Sequence, residues 1–268
     1  MRLIDPSVTI VNGLRPLEKI AMIARVCTGT QDKAETTPEA ALAFCKKLLN
    51  MGHTSPFEHA RVIVPYDPRR QKHLRFNGKA PYGVADRIET VDGYHYVVNV
   101  RDLLAEGRTL EEIAGYEDAG GYLTACFDIS IGISRELCRH RSMSFMERST
   151  RWCSWSPEDG GIEIVAPENY HESPATETDY SHAFELAETF YFGLLNRGVR
   201  REFARSVLPL ATATRLYVTG TYEHWAALLR LRLGKRAHPE MRRIMEMLCE
   251  LPDFPAEIKG MVNHEEEA

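Results

Sequence analysis

Five arginines lie within the short segment from Arg135 to Arg151, together with His140 and Glu147, in a chain whose net charge is −5. Arginine stays charged, and its planar guanidinium binds phosphate or carboxylate oxygens in pairs. Apolar residues flank the segment, namely Ile129, Ile131, Ile133 and Leu137 before it and Trp152 and Trp155 after it. A solvated helix face would also explain the charges, but these flanks favour a position at the edge of a core. The segment therefore predicts a site for a discrete anionic ligand.

Composition is that of a globular protein. The 268 residues are 44% hydrophobic and 26% charged, which is enough to bury a substantial core. The net negative charge argues against broad coating of nucleic acid. No apolar run is long enough to span a bilayer, and the first residues lack the apolar region of a signal peptide. We therefore expect a cytoplasmic protein that binds neither nucleic acid nor membrane.

Cysteine and histidine spacing predicts neither a disulfide framework nor a metal site. The six cysteines are scattered without a C-x-x-C pair. His53 and His59 are six residues apart, and no third ligand lies close to them in the sequence.

Residue periodicity predicts an α+β protein (irregular α/β) with a central mixed sheet and packed helices. Helices are expected over residues 16–27, 37–51, 100–105, 110–116, 133–140, 177–196, 200–207, 222–232 and 237–251, and strands over 60–64, 94–100, 123–131, 162–165 and 212–219. The expected apolar side of the long helix consists of Phe184, Leu186, Ala187, Phe190, Tyr191, Leu194 and Leu195. The polar stretch 66–120 contains Asn-Gly and Asp-Gly turn signals and is interpreted as an insertion in a single domain, 1–268.

Five short motifs follow one another along the chain. Arg139-His140-Arg141 is followed after seven residues by Ser149, which gives the pattern R-H-R-x7-S. The other four are the segments 24–27, 52–59 (Gly-His-Thr-Ser-Pro-Phe-Glu-His), 201–219 and 231–240. In these motifs the chain resembles the flavin-dependent thymidylate synthase family. The resemblance runs along most of the chain and is interrupted at about residues 66–120.

This resemblance implies the reductive methylation of dUMP to dTMP. Methylenetetrahydrofolate would supply the carbon, FAD would carry the hydride, and NADPH would be the reductant. The resemblance also implies a homotetramer whose active sites lie between subunits. Another outcome on the same fold stays open, which is hydroxymethylation of dUMP or a different change to a pyrimidine nucleotide.

For dUMP, the resemblance gives Arg232 the catalytic role of facing the pyrimidine and withdrawing charge from it, which a fixed cation does best in a dry pocket. It places Arg151 and Arg205 mainly on the phosphate. The other positions that it implies for dUMP are Glu136, Arg139, Glu147, Arg148, Ser149 and Thr150. Ser149 is expected to position dUMP rather than attack it, because a serine nucleophile needs a positioned base.

For the flavin, the resemblance implies Ser55, Glu58, Arg139, His140, Arg141 and Glu147. Four further positions lie where the family holds FAD but depart from its usual residues, namely Thr221, Glu223, Ala227 and Arg236. Losing two side-chain hydrogen bonds, at about 0.5–1.5 kcal/mol each, would weaken FAD binding. Arg236 would offset this loss by pairing with the flavin pyrophosphate. We expect FAD binding to survive.

Two further interpretations compete with this one. Cys138 or Cys153 would be a nucleophile if neighbouring arginines lowered its pKa, although Cys138 is expected to pack in the core. Alternatively, the chain would be a non-catalytic nucleotide- or RNA-binding module whose basic and aromatic surface consists of Arg139, Arg141, Arg148, Arg151, Trp152 and Trp155.

Overall fold

The computed structural model of this chain describes residues 1–31, 37–65, 86–90 and 93–263. The strands in these ranges are β1 (Arg2–Ile4), β2 (Ser7–Ile10), β3 (Arg61–Pro65), β4 (Asp86–Thr90), β5 (Gly93–Asn99), β6 (Tyr122–Ser130), β7 (Ser144–Glu147), β8 (Glu163–Val165) and β9 (Ala213–Thr221). The α-helices are α1 (Pro16–Ala24), α2 (Pro38–Asn50), α3 (Val100–Ala105), α4 (Leu110–Ala114), α5 (Ile131–Leu137), α6 (Pro174–Asn196), α7 (Arg201–Ala204), α8 (Tyr222–Arg232), α9 (Pro239–Glu250) and α10 (Ala256–Asn263). Short 3₁₀ helices occupy Arg25–Thr28, Ser55–His59 and Arg205–Val207. The predicted α+β class is confirmed.

The central sheet has four strands in the order β2-β6-β9-β7, and every pair in it is antiparallel. The prediction of a mixed sheet was wrong in this respect, because the parallel pairing belongs to a separate two-stranded sheet of β1 and β8. Strand β6 carries Phe127 and Ile129 into a core that α8 and α9 cover with Trp225 and Ile244. The indole of Trp225 donates to the carbonyl of Leu123 at 3.0 Å, so the polar atom of this buried ring is satisfied.

A second sheet, in the order β3-β5-β4, is also antiparallel. Its strands β3 and β5 share one hydrophobic core with α1, α2, α3 and α4. This core combines residues from before the stretch interpreted as an insertion (66–120) with residues inside it, since Phe57 and Val62 pack together with Val98 and Leu103. Residues 66–85 and 91–92 of that stretch lie outside the described residues.

Several helix ends follow the local signals in the sequence. The hydroxyl of Thr37 accepts from the amide of Ala40 and caps α2, and Thr109 forms a capping box with Glu112 at the start of α4. Gly52 and Gly198 have φ angles of 73° and 78° just after α2 and α6, a left-handed conformation that glycine adopts without a steric penalty.

Two predictions about helices were wrong. On α6, Phe184 and Tyr191 are buried, but Leu186 and Phe190 are 49% and 55% exposed. Positions 184 and 191 lie two helical turns apart on the core side, whereas 186 and 190 share a different face. Helix α5 ends at Leu137, so His140 lies beyond the helix that was expected to contain it.

Candidate active site

The guanidinium of Arg232 is held by residues that lie more than ninety positions earlier in the chain. Arg232 is the last residue of α8, and its Nε donates to Nε2 of His140 at 2.9 Å. Its Nη1 donates to the carboxylate of Glu136 at 3.0 Å, and its Nη2 donates to the backbone carbonyl of Glu136 at 3.1 Å. Three hydrogen bonds on different nitrogens fix the plane of the guanidinium. A planar cation with a set orientation is therefore present at the end of α5.

The hydrogen bond to Arg232 defines the state of His140. An imidazole nitrogen accepts a hydrogen bond only when it carries no proton, so His140 is neutral with its proton on Nδ1. The pKa of His140 lies below its ordinary value, first because burial disfavours the charged ring and second because the Arg232 cation is adjacent. The Nδ1–H group of His140 remains as a donor.

Glu147 lies at the end of β7 and is tied to α5. The hydroxyl of Ser134 donates to its carboxylate at 2.7 Å. Ser134 and Glu136 both belong to α5. The bond therefore connects Glu147, at the end of β7, to the helix whose Glu136 holds Arg232.

A second basic group surrounds the turn that begins at Ser149. The amide of Arg151 donates to the hydroxyl of Ser149 at 3.3 Å, so the serine side chain shapes the turn. Arg205 donates to the hydroxyl of Thr150 at 3.0 Å, and Arg151 pairs with Glu202 at 3.7 Å. Arg151 and Arg205 are exposed. Their guanidinium groups can therefore leave these partners and bind an anion instead.

Arg148 has a more enclosed position than the other arginines of the segment. Its guanidinium lies over the Trp155 ring, 5.2 Å from the centroid, and pairs with Glu163 at 3.3 Å. Trp155 is buried and packs edge-on against Tyr191, whereas Trp152 is 65% exposed. The basic and aromatic surface expected of a nucleic-acid-binding module is therefore not continuous, because Arg148 already covers the face of the Trp155 ring.

A cavity of about 550 Å³ opens between helix α2, the 3₁₀ helices Arg25–Thr28 and Ser55–His59, and the turn at Ser149. Ser55 and Ser149, which are 94 positions apart in the sequence, both line it. Its apolar wall includes Phe44, Leu48, Met51, Met146 and Trp152, and its basic side chains are Arg25 and Lys47. A volume of this order, with apolar walls and a few polar groups, is typical of a small-molecule site. The cavity thus brings a residue implied for the flavin beside one implied for dUMP.

The chain is similar to known proteins over part of its length. The family model described as thymidylate synthase complementing protein (Thy1) matches residues 121–253. Flavin-dependent thymidylate synthases are similar to the chain in Mycolicibacterium vanbaalenii (29% identity over 69% of this chain and 76% of that protein) and in Mycobacteroides abscessus (35% identity over 52% and 62%). These matches support the flavin-dependent thymidylate synthase family for this chain. The predictions of this family, of an enzyme and of a flavin cofactor are confirmed at the level of the family.

The chain thus spans about three fifths to three quarters of the length of these two relatives. Among solved structures, the UMP/dUMP methylase PolB from Streptomyces cacaoi bound with 5-Br dUMP aligns with a TM-score of 0.45 at 20% identity, over 92% of this chain and 90% of that one. A likeness of this degree carries no argument about the site. In the described part of the chain, no helix is long and apolar enough to cross a membrane.

The remaining positions implied by the thymidylate synthase resemblance are spread over two regions. Arg139 and Arg141 are exposed on either side of His140. Glu223, Ala227 and Arg236 are exposed on α8 and in the loop after it. Thr221 caps α8 by accepting from the amide of His224 at 3.4 Å. A hydrogen bond from Thr221 also lowers the pKa of Glu223, so this hydroxyl already has partners within the chain.

The two candidate nucleophilic cysteines are packed. Burial is the first cause that raises the pKa of Cys138 to about 11, and the nearby carboxylate of Glu147 adds to it. The thiol of Cys153 is buried and donates to the carbonyl of Cys27 at 3.5 Å. A thiol held in its protonated form is a poor nucleophile, which argues against the cysteine interpretation.

The sequence did not predict the supporting role of several residues. Ser134, Glu163, Glu202 and Arg101 contact the implied site residues Glu147, Arg148, Arg151 and Glu58 respectively. The sequence motifs gave none of these four residues a role. Each of them lies at least thirteen positions from its partner. Only the packing of distant elements brings them together.

Proposed function

We propose that this chain converts dUMP to dTMP by reductive methylation, with methylenetetrahydrofolate as the carbon donor and FAD as the hydride carrier. The observation that carries the proposal is the guanidinium of Arg232, held by three hydrogen bonds beside the His140 of the R-H-R-x7-S segment. NADPH as the reductant rests on the resemblance alone, and the cytoplasmic location remains an expectation drawn from the sequence.

Arg232 supplies the electrostatic part of the reaction under this proposal. A guanidinium has five N–H donors, and three of them are used within the chain, which leaves one on each Nη for a pyrimidine. A positive charge fixed against the ring stabilises negative charge that develops there, and it needs no reorganisation as the charge grows. The Glu136 and His140 contacts therefore serve to hold the cation in place.

Arg151 and Arg205 would bind the phosphate of dUMP. Their present partners, Glu202 and Thr150, form contacts near the surface, and such exposed pairs contribute little stability. A phosphate dianion offers both guanidinium groups a stronger charge-assisted partner. The Ser149 turn would then present its polar groups to the same nucleotide.

The residues present fit a flavin. The cavity has the apolar walls that a flat ring system needs, and Ser55, Ser149 and the basic Arg25 and Lys47 supply polar contacts. Bound FAD would supply hydride transfer, which no side chain provides. His140, Arg139 and Arg141 are the further residues that the resemblance gives to the flavin. Thr221 is the departure with the largest expected effect, because its hydroxyl already caps α8.

Assembly into a homotetramer is part of the same proposal. Large apolar side chains are exposed on the described surface, namely Leu3, Met51, Trp152, Leu186, Phe190, Phe203, Leu210 and Leu231. Leu186 and Phe190 lie one turn apart on the same face of α6. Such a face is typical of a surface that another subunit covers.

The decisive experiment combines a spectrum with a product mass. The purified chain is expected to show flavin absorbance, directly or after incubation with FAD, and to convert dUMP to dTMP when methylenetetrahydrofolate and NADPH are supplied. A product one oxygen heavier than dTMP would identify the hydroxymethylase alternative. A protein that stays colourless with FAD and does not bind dUMP would contradict the proposal.

A further inference from the structure

Glu58 makes a contact that the motifs do not foresee. Its carboxylate pairs with the guanidinium of Arg101, and the Glu58 side chain is only 11% exposed. Arg101 lies in α3, within the stretch where the resemblance to the family is interrupted and ahead of the residues that the family model matches. A residue implied for the flavin is therefore paired with a residue from outside the recognised motifs.

Asn99 holds the same glutamate through its backbone. The Asn99 side-chain amide donates to the carbonyl of Glu58 at 2.9 Å, and its side-chain oxygen accepts from the amide of Arg101 at 2.9 Å. In addition, the amide of Val100 donates to the carbonyl of Ala60 at 3.0 Å. Three consecutive residues at the junction of β5 and α3 thus bind both the side chain and the backbone of the Glu58 segment.

The other side of this segment is anchored to the central sheet. His59 is completely buried, and its Nδ1 lies 2.7 Å from the hydroxyl of Thr219 on β9. Thr219 in turn lies 2.8 Å from the hydroxyl of Thr124 on β6. The backbone at His59 is therefore fixed by the sheet, while the direction of the Glu58 carboxylate is set by residues 99–101.

The local structure of the segment makes this support necessary. Glu58 belongs to a 3₁₀ helix of five residues whose N-cap, Thr54, makes no side-chain capping bond. Such short 3₁₀ turns have poor hydrogen-bond geometry and little stability of their own. A carboxylate on such a turn needs an external partner to keep one orientation.

We propose that Arg101, supported by Asn99, is a positioning residue that orients the Glu58 carboxylate toward the flavin. The inference rests on the proposed function, because it takes Glu58 to lie beside the cofactor. Removing the guanidinium leaves a mostly buried carboxylate without its cationic partner, which is costly. The carboxylate then turns toward solvent or takes up a proton, and either change alters the charge that the cofactor meets. Misplacement of this kind reduces the turnover rate by roughly tenfold to a hundredfold.

The test uses the full-length, flavin-loaded enzyme and four variants: Arg101→Gln, Arg101→Lys, Glu58→Gln and the double variant Arg101→Gln/Glu58→Gln. The matched control is Arg108→Gln, which removes an arginine from a partly exposed pair with Glu112 in the same region. Flavin content, flavin midpoint potential, kcat, KM and the dUMP dissociation constant are measured for each protein.

Arg101→Gln is expected to lower kcat by at least about tenfold and to shift the flavin midpoint potential, because the charge that the Glu58 carboxylate presents to the flavin changes. Its dUMP dissociation constant should stay unchanged. Arg101→Lys should recover part of the lost kcat, because it restores the charge. In the Glu58→Gln background, Arg101→Gln should change kcat less than about twofold, since coupled residues give non-additive effects.

Two results would overturn the proposal. One is an Arg101→Gln enzyme whose kcat and midpoint potential match those of Arg108→Gln, and the other is an additive effect in the double variant. If Arg101→Gln does not fold, Arg101→Lys is compared in the wild-type and Glu58→Gln backgrounds, and the same criterion of additivity decides. A wild-type protein that takes up no flavin or forms no dTMP would instead defeat the proposed function, and the positioning role with it.

Discussion

The Nε of Arg232 donates a hydrogen bond to Nε2 of His140 at 2.9 Å. This bond links the end of α8 to the R-H-R segment and requires a neutral imidazole. The orientation of the proposed catalytic cation therefore depends on the protonation state of its neighbour. The hydrogen bond also gives the two ring nitrogens of His140 different roles. Nε2 accepts from Arg232, and the Nδ1–H group can donate to a bound ligand.

The first prediction concerns pH. The pKa of His140 is lowered, so the bond to Arg232 is present at neutral pH and is lost once the pH falls below the ordinary histidine range. Binding of dUMP should weaken below about pH 6. In His140→Gln, whose amide oxygen accepts from Arg232 at any pH, the loss should be smaller. Calorimetric titrations with dUMP between about pH 8 and about pH 5 measure this. The exposed His182 on α6 provides the control His182→Gln, and equal pH profiles for all three proteins would contradict the mechanism.

The second prediction concerns Arg232 itself. Arg232→Lys keeps the charge but cannot bind Glu136 and His140 with a planar fork. We expect kcat to fall by roughly 10²–10³-fold, as for the loss of one preorganised donor in a polar transition state. Steady-state kinetics measures the effect, with Arg242→Lys as the control because Arg242 is close in sequence and donates to the backbone carbonyl of Lys235 rather than to a residue implied for the site. A kcat within about twofold of wild type in Arg232→Lys would show that the planar guanidinium and its fixed orientation are not needed for the reaction.

The third prediction concerns stability at low pH. Burial lowers the pKa of His59 to about 3, although a hydrogen bond with the backbone of Phe145 acts in the opposite direction. In the unfolded chain His59 takes up a proton near its ordinary value of about 6.5. Between these two values the unfolded state binds more protons, so stability is complete above about pH 6.5 and falls as the pH decreases, by up to about 1.4 kcal/mol per pH unit from this residue.

Urea unfolding at several pH values, with wild type and His59→Gln compared, measures this slope. The glutamine cannot titrate, so the variant should be less stable at neutral pH but should show a shallower decline toward low pH. His182→Gln, at an exposed position on α6, is the matched control. The assignment fails if His59→Gln and wild type lose stability in parallel over this range.

The fourth prediction concerns the cysteines. Because the pKa of Cys138 is raised and Cys153 is buried, neither should act as a nucleophile. Cys138→Ala and Cys153→Ala should each retain turnover within about threefold of wild type, since only packing is disturbed. Mass spectrometry of the enzyme incubated with dUMP should find no protein–nucleotide adduct. Loss of turnover in one variant together with loss of such an adduct would revive the cysteine mechanism.

The fifth prediction concerns assembly. Replacing Leu186 and Phe190 together with glutamate places charge on the exposed apolar face of α6 and should shift the protein toward smaller assemblies in sedimentation velocity experiments. Alanine at His182 and Glu185, two exposed polar positions of the same helix, provides the control. An unchanged sedimentation coefficient for the glutamate variant would exclude this face from the subunit interface.

Local sequence determined much of this protein. The hydrophobic periods and the caps at Thr37 and Thr109 fixed most helices, because a cap or an apolar face involves residues within a few positions of each other. The five motifs, in their order along the chain, indicated the family, because the residue types that bind a nucleotide and a flavin can be recognised individually in the sequence. Local patterns missed the short strands β1, β2 and β7 and the exposure of Leu186 and Phe190, since these depend on which neighbouring element lies opposite.

Tertiary structure alone decided how the implied residues are held. Arg232 meets His140 and Glu136 because α8 returns across the sheet to the end of α5, and Glu58 meets Arg101 because β5 pairs with β3. Each of these contacts joins residues more than forty positions apart. Contacts between residues so far apart in the sequence depend on how whole sheets and helices pack against each other. The identity of one residue therefore does not predict which distant residue it will contact.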